Sequence, residues 1–169
     1  MLVGAGFSRN AIKIDDSVPD SPTWEELGSI FISKLTDDSD EKEKLAKLSP
    51  LVLAERVEAI YGRSELDHIL LSSIRNADFR PSPLHYKFLK LPWSDIFTTN
   101  YDILLEDASR ELTEQIFTIV TCKGDLIGSS GTNRIIKLHG SFPSQRPFVI
   151  SSEDYRTYPQ MFAPFVNTV

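Results

Sequence analysis

The chain opens Met1-Leu2-Val3-Gly4-Ala5-Gly6-Phe7-Ser8-Arg9-Asn10, and the reading of the fold starts there. Three apolar residues run straight into Gly-Ala-Gly and then Phe-Ser. This is the pattern of a buried strand that ends in a glycine turn. Glycines at such a point let backbone N–H groups come close to a bound group, and a phosphate is the usual guest. The full dinucleotide fingerprint GxGxxG is absent, because Arg9 stands where its last glycine would fall. Alone, Gly-Ala-Gly after an apolar run describes a tight turn without a ligand equally well. Two later stretches bear on the choice: Thr98-Thr99-Asn100-Tyr101-Asp102 and Lys137-Leu138-His139-Gly140-Ser141.

The chain has 169 residues, enough for one domain with a real core. Apolar residues make up 41% and charged residues 25%, the ordinary balance of a soluble globular protein. The net charge of −6 lacks the basic excess of a nucleic-acid binder, so direct nucleic-acid binding is disfavoured. No apolar run approaches bilayer length, and no signal peptide is visible. A single cysteine, Cys122, excludes an internal disulfide and any multi-cysteine zinc site, and fits a reducing cytoplasm. Only Met1-Leu2-Val3 precede the glycines, so either the first strand is short or the chain has lost its beginning.

Residues 9–22, with Pro19 and Pro22, read as an irregular loop over the glycine turn. Thr23-Trp24-Glu25-Glu26 has the form of a capping box, and Trp24, Leu27, Phe31 and Leu35 share a face of the helix behind it. The polar run 36–44 reads as a solvated loop and helix start. Ser49-Pro50 begins a helix with Leu53, Ala54, Val57 and Ile60 as its buried stripe, ended by Gly62. Ser64 caps the next, which buries Leu66, Ile69, Leu70 and Ile74. Pro81 and Pro83 bracket a break before a short helix over 84–91. Residues 23–91 thus form a nearly all-helical insertion between the first strand and the second.

Asp95–Thr99 reads as a strand with Asn100-Tyr101-Asp102 at its carboxyl end, followed by a helix running to about Leu112. Strands are expected over 115–122, 134–138 and 147–150, and a Gly/Ser loop over 123–134. Ser151 or Ser152 caps a last helical region carrying Tyr155, Tyr158, Met161, Phe162 and Phe165. Three strands therefore end in polar or glycine residues, at Gly4, Asn100 and His139. In an open α/β sheet, ligands sit at the carboxyl ends of strands. If these strands are parallel and adjacent, the three motifs meet in one crevice.

In this order the motifs resemble the sirtuin superfamily, and more closely its SIR2-like branch from bacterial defence systems. Gly4-Ala5-Gly6-Phe7-Ser8 resembles the family's GAGxS phosphate loop. Thr98-Thr99-Asn100-Tyr101-Asp102 resembles its TQNxD motif, with Thr99 in place of glutamine. His139-Gly140 resembles the pair that carries the catalytic histidine. Val149 to Tyr155 also looks like the segment after that pair in the SIR2-like group. The resemblance implies a Rossmann-like three-layer α/β sandwich with a parallel sheet and a helical insertion.

The departures are informative. Sirtuin deacylases carry four zinc cysteines, and this chain has only Cys122. They also carry Pro-Asp-Phe-Arg after the glycine loop, where this chain has Pro19-Asp20-Ser21-Pro22 and Asp20 is the counterpart. Both differences speak against acyl-lysine removal and resemble the NAD-hydrolysing defence members. The family has a further strand with a glycine–serine motif on the adenosine side, and the chain stops at Val169 before one. With the short first strand, this reads as a single SIR2-like domain trimmed at both ends, or a decayed copy.

The resemblance implies hydrolysis of NAD, as substrate, to nicotinamide and ADP-ribose. Cleaving the nicotinamide–ribose bond releases a neutral leaving group through an oxocarbenium-like transition state. A histidine near neutral pKa takes a proton from water or a ribose hydroxyl, and an amide positions that water or holds the ribose. His139 and Asn100 fit those catalytic needs. Gly4, Ala5, Gly6, Phe7 and Ser8 fit the pyrophosphate, with Asp20, Thr99 and Asp102 completing the cofactor-binding set. Asp102 has two roles open to it, ribose binding or capping its own helix. His68 and His85 lie within helical segments, where packing is the better reading.

The reading is a cytoplasmic effector domain of a larger anti-phage protein, switched by further domains or homo-oligomerisation, without zinc or membrane. Two rivals are an NAD-dependent protein deacylase and a non-catalytic NAD- or ADP-ribose-binding or assembly module.

Overall fold

The computed structural model describes residues 1–129, 131–141 and 148–161. In chain order its elements are β1 (Leu2–Val3), α1 (Ala5–Ser8), β2 (Ile12–Lys13), α2 (Trp24–Leu35), α3 (Ser39–Leu45), α4 (Pro50–Tyr61) and α5 (Arg63–Ile74). A 3₁₀ turn (Asn76–Asp78), β3 (Phe79–Arg80), α6 (Pro83–Leu89), β4 (Asp95–Thr98) and α7 (Leu104–Glu111) follow. Then come β5 (Phe117–Val120), α8 (Lys123–Gly128), β6 (Asn133–Lys137) and α9 (Ser152–Met161). The chain divides into two compact units. The expected Phe162 and Phe165, along with Ser130 and Pro147, lie outside the described residues.

The first unit holds Met1–Asp20 and the residues from Arg75 to Phe148. Its sheet has the order β1-β4-β6-β5, and every pairing is parallel. Val3 is in register with Thr98, and Thr98 with Lys137, so three strands end on one line. Neighbouring residues on a strand point to opposite faces, and both faces are covered. On one side Val3, Ile96 and Ile135 pack with Leu89 of α6 and with Leu105 and Ala108 of α7. On the other, Ile136 and Val120 pack with Phe97 and with Leu126 of α8. Helices on both faces of a parallel sheet are the Rossmann-like arrangement expected. At the far end Arg134 Nη2 donates to Asp95 Oδ2 at 2.9 Å, tying β6 to β4 away from the carboxyl ends.

The second unit holds Ser21–Ile74 and Val149–Met161. The capping box forms as read: Glu26 N donates to Thr23 Oγ1 at 3.1 Å, and Thr23 N to Glu26 Oε2 at 2.6 Å. Leu27 and Phe31 of α2 are buried, as are Leu53, Ala54 and Val57 of α4 and Leu66 and Leu70 of α5. A Cβ on Gly28 would lie 3.1 Å from Pro50 Cγ, so this glycine lets α2 and α4 approach. Arg63 Nη1 donates to both carboxylate oxygens of Asp154, at 2.9 and 3.0 Å, and joins α5 to α9.

Several expectations need correction. The loop 9–22 contains β2, which pairs antiparallel with β3, so residues 75–91 are not purely helical and group with the sheet. The loop 123–134 contains α8, which starts where Thr121 N and Cys122 N donate to Asp125 Oδ2. Gly124 and Gly128 disguised it by their low helix propensity. Phe148–Ile150 is buried but is not a strand, because Ile150 N and Ser151 N donate to Asp154 Oδ2 instead of a ladder. Ile60, expected in a buried stripe, is 64% exposed. Trp24 and Leu35 are only half-buried, and Ser64 lies inside α5, which begins at Arg63.

Candidate functional site

Gly4 sits at the N-cap of α1 with an extended backbone, φ −123°. A Cβ at Gly6 would meet nothing within 4 Å, and one at Gly4 would lie 3.9 Å from Thr99 Oγ1. Neither glycine is demanded by a left-handed conformation or a crowded neighbour. What they supply is bare backbone over open space, which is what a close-approaching phosphate requires. Phe7 holds the loop down: its ring lies 4.7 Å edge-on from His85 and 5.0 Å from Phe88.

The loop is bonded to the end of β4. Asn100 Nδ2 donates to Gly4 O at 3.0 Å and to Ser8 Oγ at 2.8 Å. Ser8 Oγ donates onward to Asp102 Oδ2 at 2.6 Å. Asp102 Oδ1 accepts from Leu104 N at 3.2 Å, so this carboxylate also caps α7. The amide of Asn100 is spent within the protein, which fixes its orientation. Its Oδ1 is buried and has no hydrogen-bond partner among the described residues. A buried acceptor left open is costly, and a bound hydroxyl or water satisfies it.

The third segment follows β6. His139 is half-buried, its ring centroid 6.2 Å from that of Tyr101. Tyr101 in turn meets Phe148 edge-on at 5.8 Å. Gly140 has φ +107°, and a Cβ there would lie 2.6 Å from Phe148 Cδ1. Here, unlike at Gly4 and Gly6, glycine is a backbone requirement. Asp20 is largely exposed and paired with Lys13 at 2.7 Å, which holds its carboxyl below the ordinary value.

Two features complete the picture: His85, read from the sequence as a packing residue, and a buried ion pair that the sequence reading missed. His85 is fully buried, and its Nδ1 accepts from Ser82 N at 3.0 Å, which puts the proton of the neutral ring on Nε2. Burial pushes its pKa below the ordinary value, opposed by the charge of Asp102. Lys137 and Glu106 form a buried ion pair at 2.8 Å. A lysine within Ile135-Ile136-Lys137-Leu138 was the available signal, since a charge among apolar residues of a central strand needs a partner. No group of three or more His, Cys, Asp or Glu suited to a metal occurs among the described residues.

Comparison with known proteins gives three findings. Residues 94–169 match the SIR2-like domain family. The whole chain is 30% identical to the protein named NAD(+) hydrolase ThsA of Acinetobacter baumannii (strain 532279), covering 33% of it. It is also 24% identical, over 98% of its length, to Defense-associated sirtuin 2 of Bacillus subtilis, covering 16% of that protein. The chain thus spans a third or less of the length of these relatives.

Proposed function

We propose, from the match of residues 94–169 to the SIR2-like domain family and the likeness of the whole chain to a protein named NAD(+) hydrolase, that this chain is a SIR2-like domain that hydrolyses NAD to nicotinamide and ADP-ribose. The observation that carries the reading is the Asn100–Ser8–Asp102 relay beside bare glycine backbone, at the carboxyl ends of two adjacent parallel strands. Gly4 to Ser8 receive the pyrophosphate through backbone N–H groups. The open Oδ1 of Asn100 accepts from a ribose hydroxyl or from the attacking water. His139, two residues beyond the next strand, takes the proton that water loses as it attacks the anomeric carbon. Asp102, Thr99 and Asp20 complete the ribose side in this reading. No metal enters this scheme, because the leaving nicotinamide is neutral and needs no Lewis acid.

Residues 1–169 act in this reading as one SIR2-like domain with a helical insertion, the NAD-consuming effector of a larger bacterial defence protein. The names of both relatives support it. Other parts of the parent chain, or further copies, supply the switch. The test is nicotinamide release, followed by chromatography, for the wild type, His139→Ala and Asn100→Ala. Release by the wild type and a fall of at least about 100-fold in either variant is expected. Release that survives His139→Ala would remove its proton-transfer role. A wild type that binds NAD without turnover would favour the binding-module reading.

A further inference from the structure

We propose that Glu106 is a positioning residue that closes the His139 turn onto the Asn100–Asp102 loop. The inference rests on the NAD-hydrolase reading for its catalytic consequence, but its geometry is independent of it. One carboxylate oxygen, Glu106 Oε1, takes both ends of the turn: Lys137 Nζ lies 2.8 Å from it, and Ser141 Oγ donates to it at 3.1 Å. Leu138, His139 and Gly140 lie between these anchors, so the segment is closed on itself with His139 at its middle. Lys137 Nζ also donates to the backbone carbonyl of Asp102, the residue that accepts from Ser8. The His139 turn and the relay residues are thereby fastened through one buried ammonium.

Burial makes the arrangement unusual. Lys137, Glu106 and Ser141 are 1%, 2% and 3% exposed, and Glu106 Oε2 has no hydrogen-bond partner among the described residues. A buried ion pair is a poor way to gain stability, since apolar residues of similar volume serve as well or better. What an apolar pair cannot supply is directional bonding to a carbonyl, a hydroxyl and a charge at once. The pair therefore sets the place of the His139 turn rather than the stability of the unit.

The experiment compares Glu106→Gln, Ser141→Ala and the double variant Glu106→Gln/Lys137→Met in the intact chain. Glu106→Gln should lower kcat for nicotinamide release by about tenfold or more, with KM for NAD changed less than about threefold. Amide exchange across 137–141 should quicken while exchange in β5 stays unchanged. Should Glu106→Gln fail to fold, because it strands a buried ammonium, the double variant removes that charge. A purely structural role predicts that the double variant recovers kcat together with stability; the positioning role predicts that stability recovers and kcat does not. Ser141→Ala, which loosens one anchor, should show the same kcat-only pattern more weakly. A folded Glu106→Gln with wild-type kcat, or unchanged exchange across 137–141, overturns the proposal. A wild type that releases no nicotinamide overturns the hydrolase reading instead, and the exchange measurement then decides the positioning claim by itself.

Discussion

Ser8 is where the two sequence motifs become one structure. Its hydroxyl accepts from Asn100 and donates to Asp102, so one group bonds two residues of the second motif. Ser8→Ala deletes both bonds and leaves an amide hydrogen and a carboxylate oxygen to find water. The expected cost is about 1–3 kcal/mol by urea denaturation, with nicotinamide release reduced more than the folded fraction is. Stability and release both at wild-type values would show that the relay is incidental. His85, behind Phe7, gives a prediction in pH. Its folded pKa is lowered by burial, so the unfolded chain binds more protons once the pH falls through the free histidine value of 6.5. His85 therefore favours the fold fully above that pH, and the contribution is lost on acidification. Glutamine at the same position can still accept from Ser82 N but does not titrate. The melting temperature of His85→Gln should fall less steeply than the wild type between pH 7 and 5, and an equal slope would exonerate His85. Sequence alone marked where Ser8, Asn100 and His139 stand, because each lies in a short polar or glycine-bearing stretch that follows an apolar run. It could not pair Lys137 with Glu106, because that contact exists only once β6 lies against β4 and brings α7 over it.

Elements with strong local signals were legible, and elements made by tertiary contact were not. The α2 start was readable from Thr23 and Glu26, two residues that satisfy each other's backbone groups. The two residues of β2 carry no periodicity and exist because β3 offers a ladder 67 residues away. Apolar character misled at Phe148–Ile150: the run is buried, but the backbone donor of Ile150 goes to Asp154 rather than to a strand. The same region explains Gly140. The turn after β6 doubles back against Phe148, at φ +107°, where any side chain is both strained and in contact. Gly140→Ala should destabilise by about 1–3 kcal/mol through the backbone alone. Because His139 is next in sequence, it should also lower kcat beyond what the loss of folded protein explains. Circular dichroism melts alongside release assays check this, and a variant as stable as wild type would mean that neither the backbone conformation nor Phe148 resists a side chain here.

At the scale of the whole molecule, three segments far apart in sequence meet only after folding: 4–8, 98–102 and 137–141. A ligand held by all three binds the folded chain and not the unfolded one, so it must raise the melting temperature. At a free NAD concentration 100 times Kd the stabilisation is about 2.7 kcal/mol. For a chain of this size that amounts to roughly 5–10 °C. The net charge of −6 adds a constraint, because it repels a dinucleotide's pyrophosphate at long range. In the proposed reading, recognition comes from short-range backbone N–H groups at Gly4 to Ser8 rather than from a basic surface. Such contacts are weakly screened, and the repulsion they overcome is itself screened by salt. Raising NaCl from about 50 to about 300 mM should therefore leave the NAD-induced shift intact or slightly larger, whereas a basic groove would lose it. Asn100→Ala should shrink the shift at every salt concentration, since it removes the acceptor at the centre of the three segments. A shift that collapses with salt would place the ligand on surface charges instead and separate NAD binding from the strand ends.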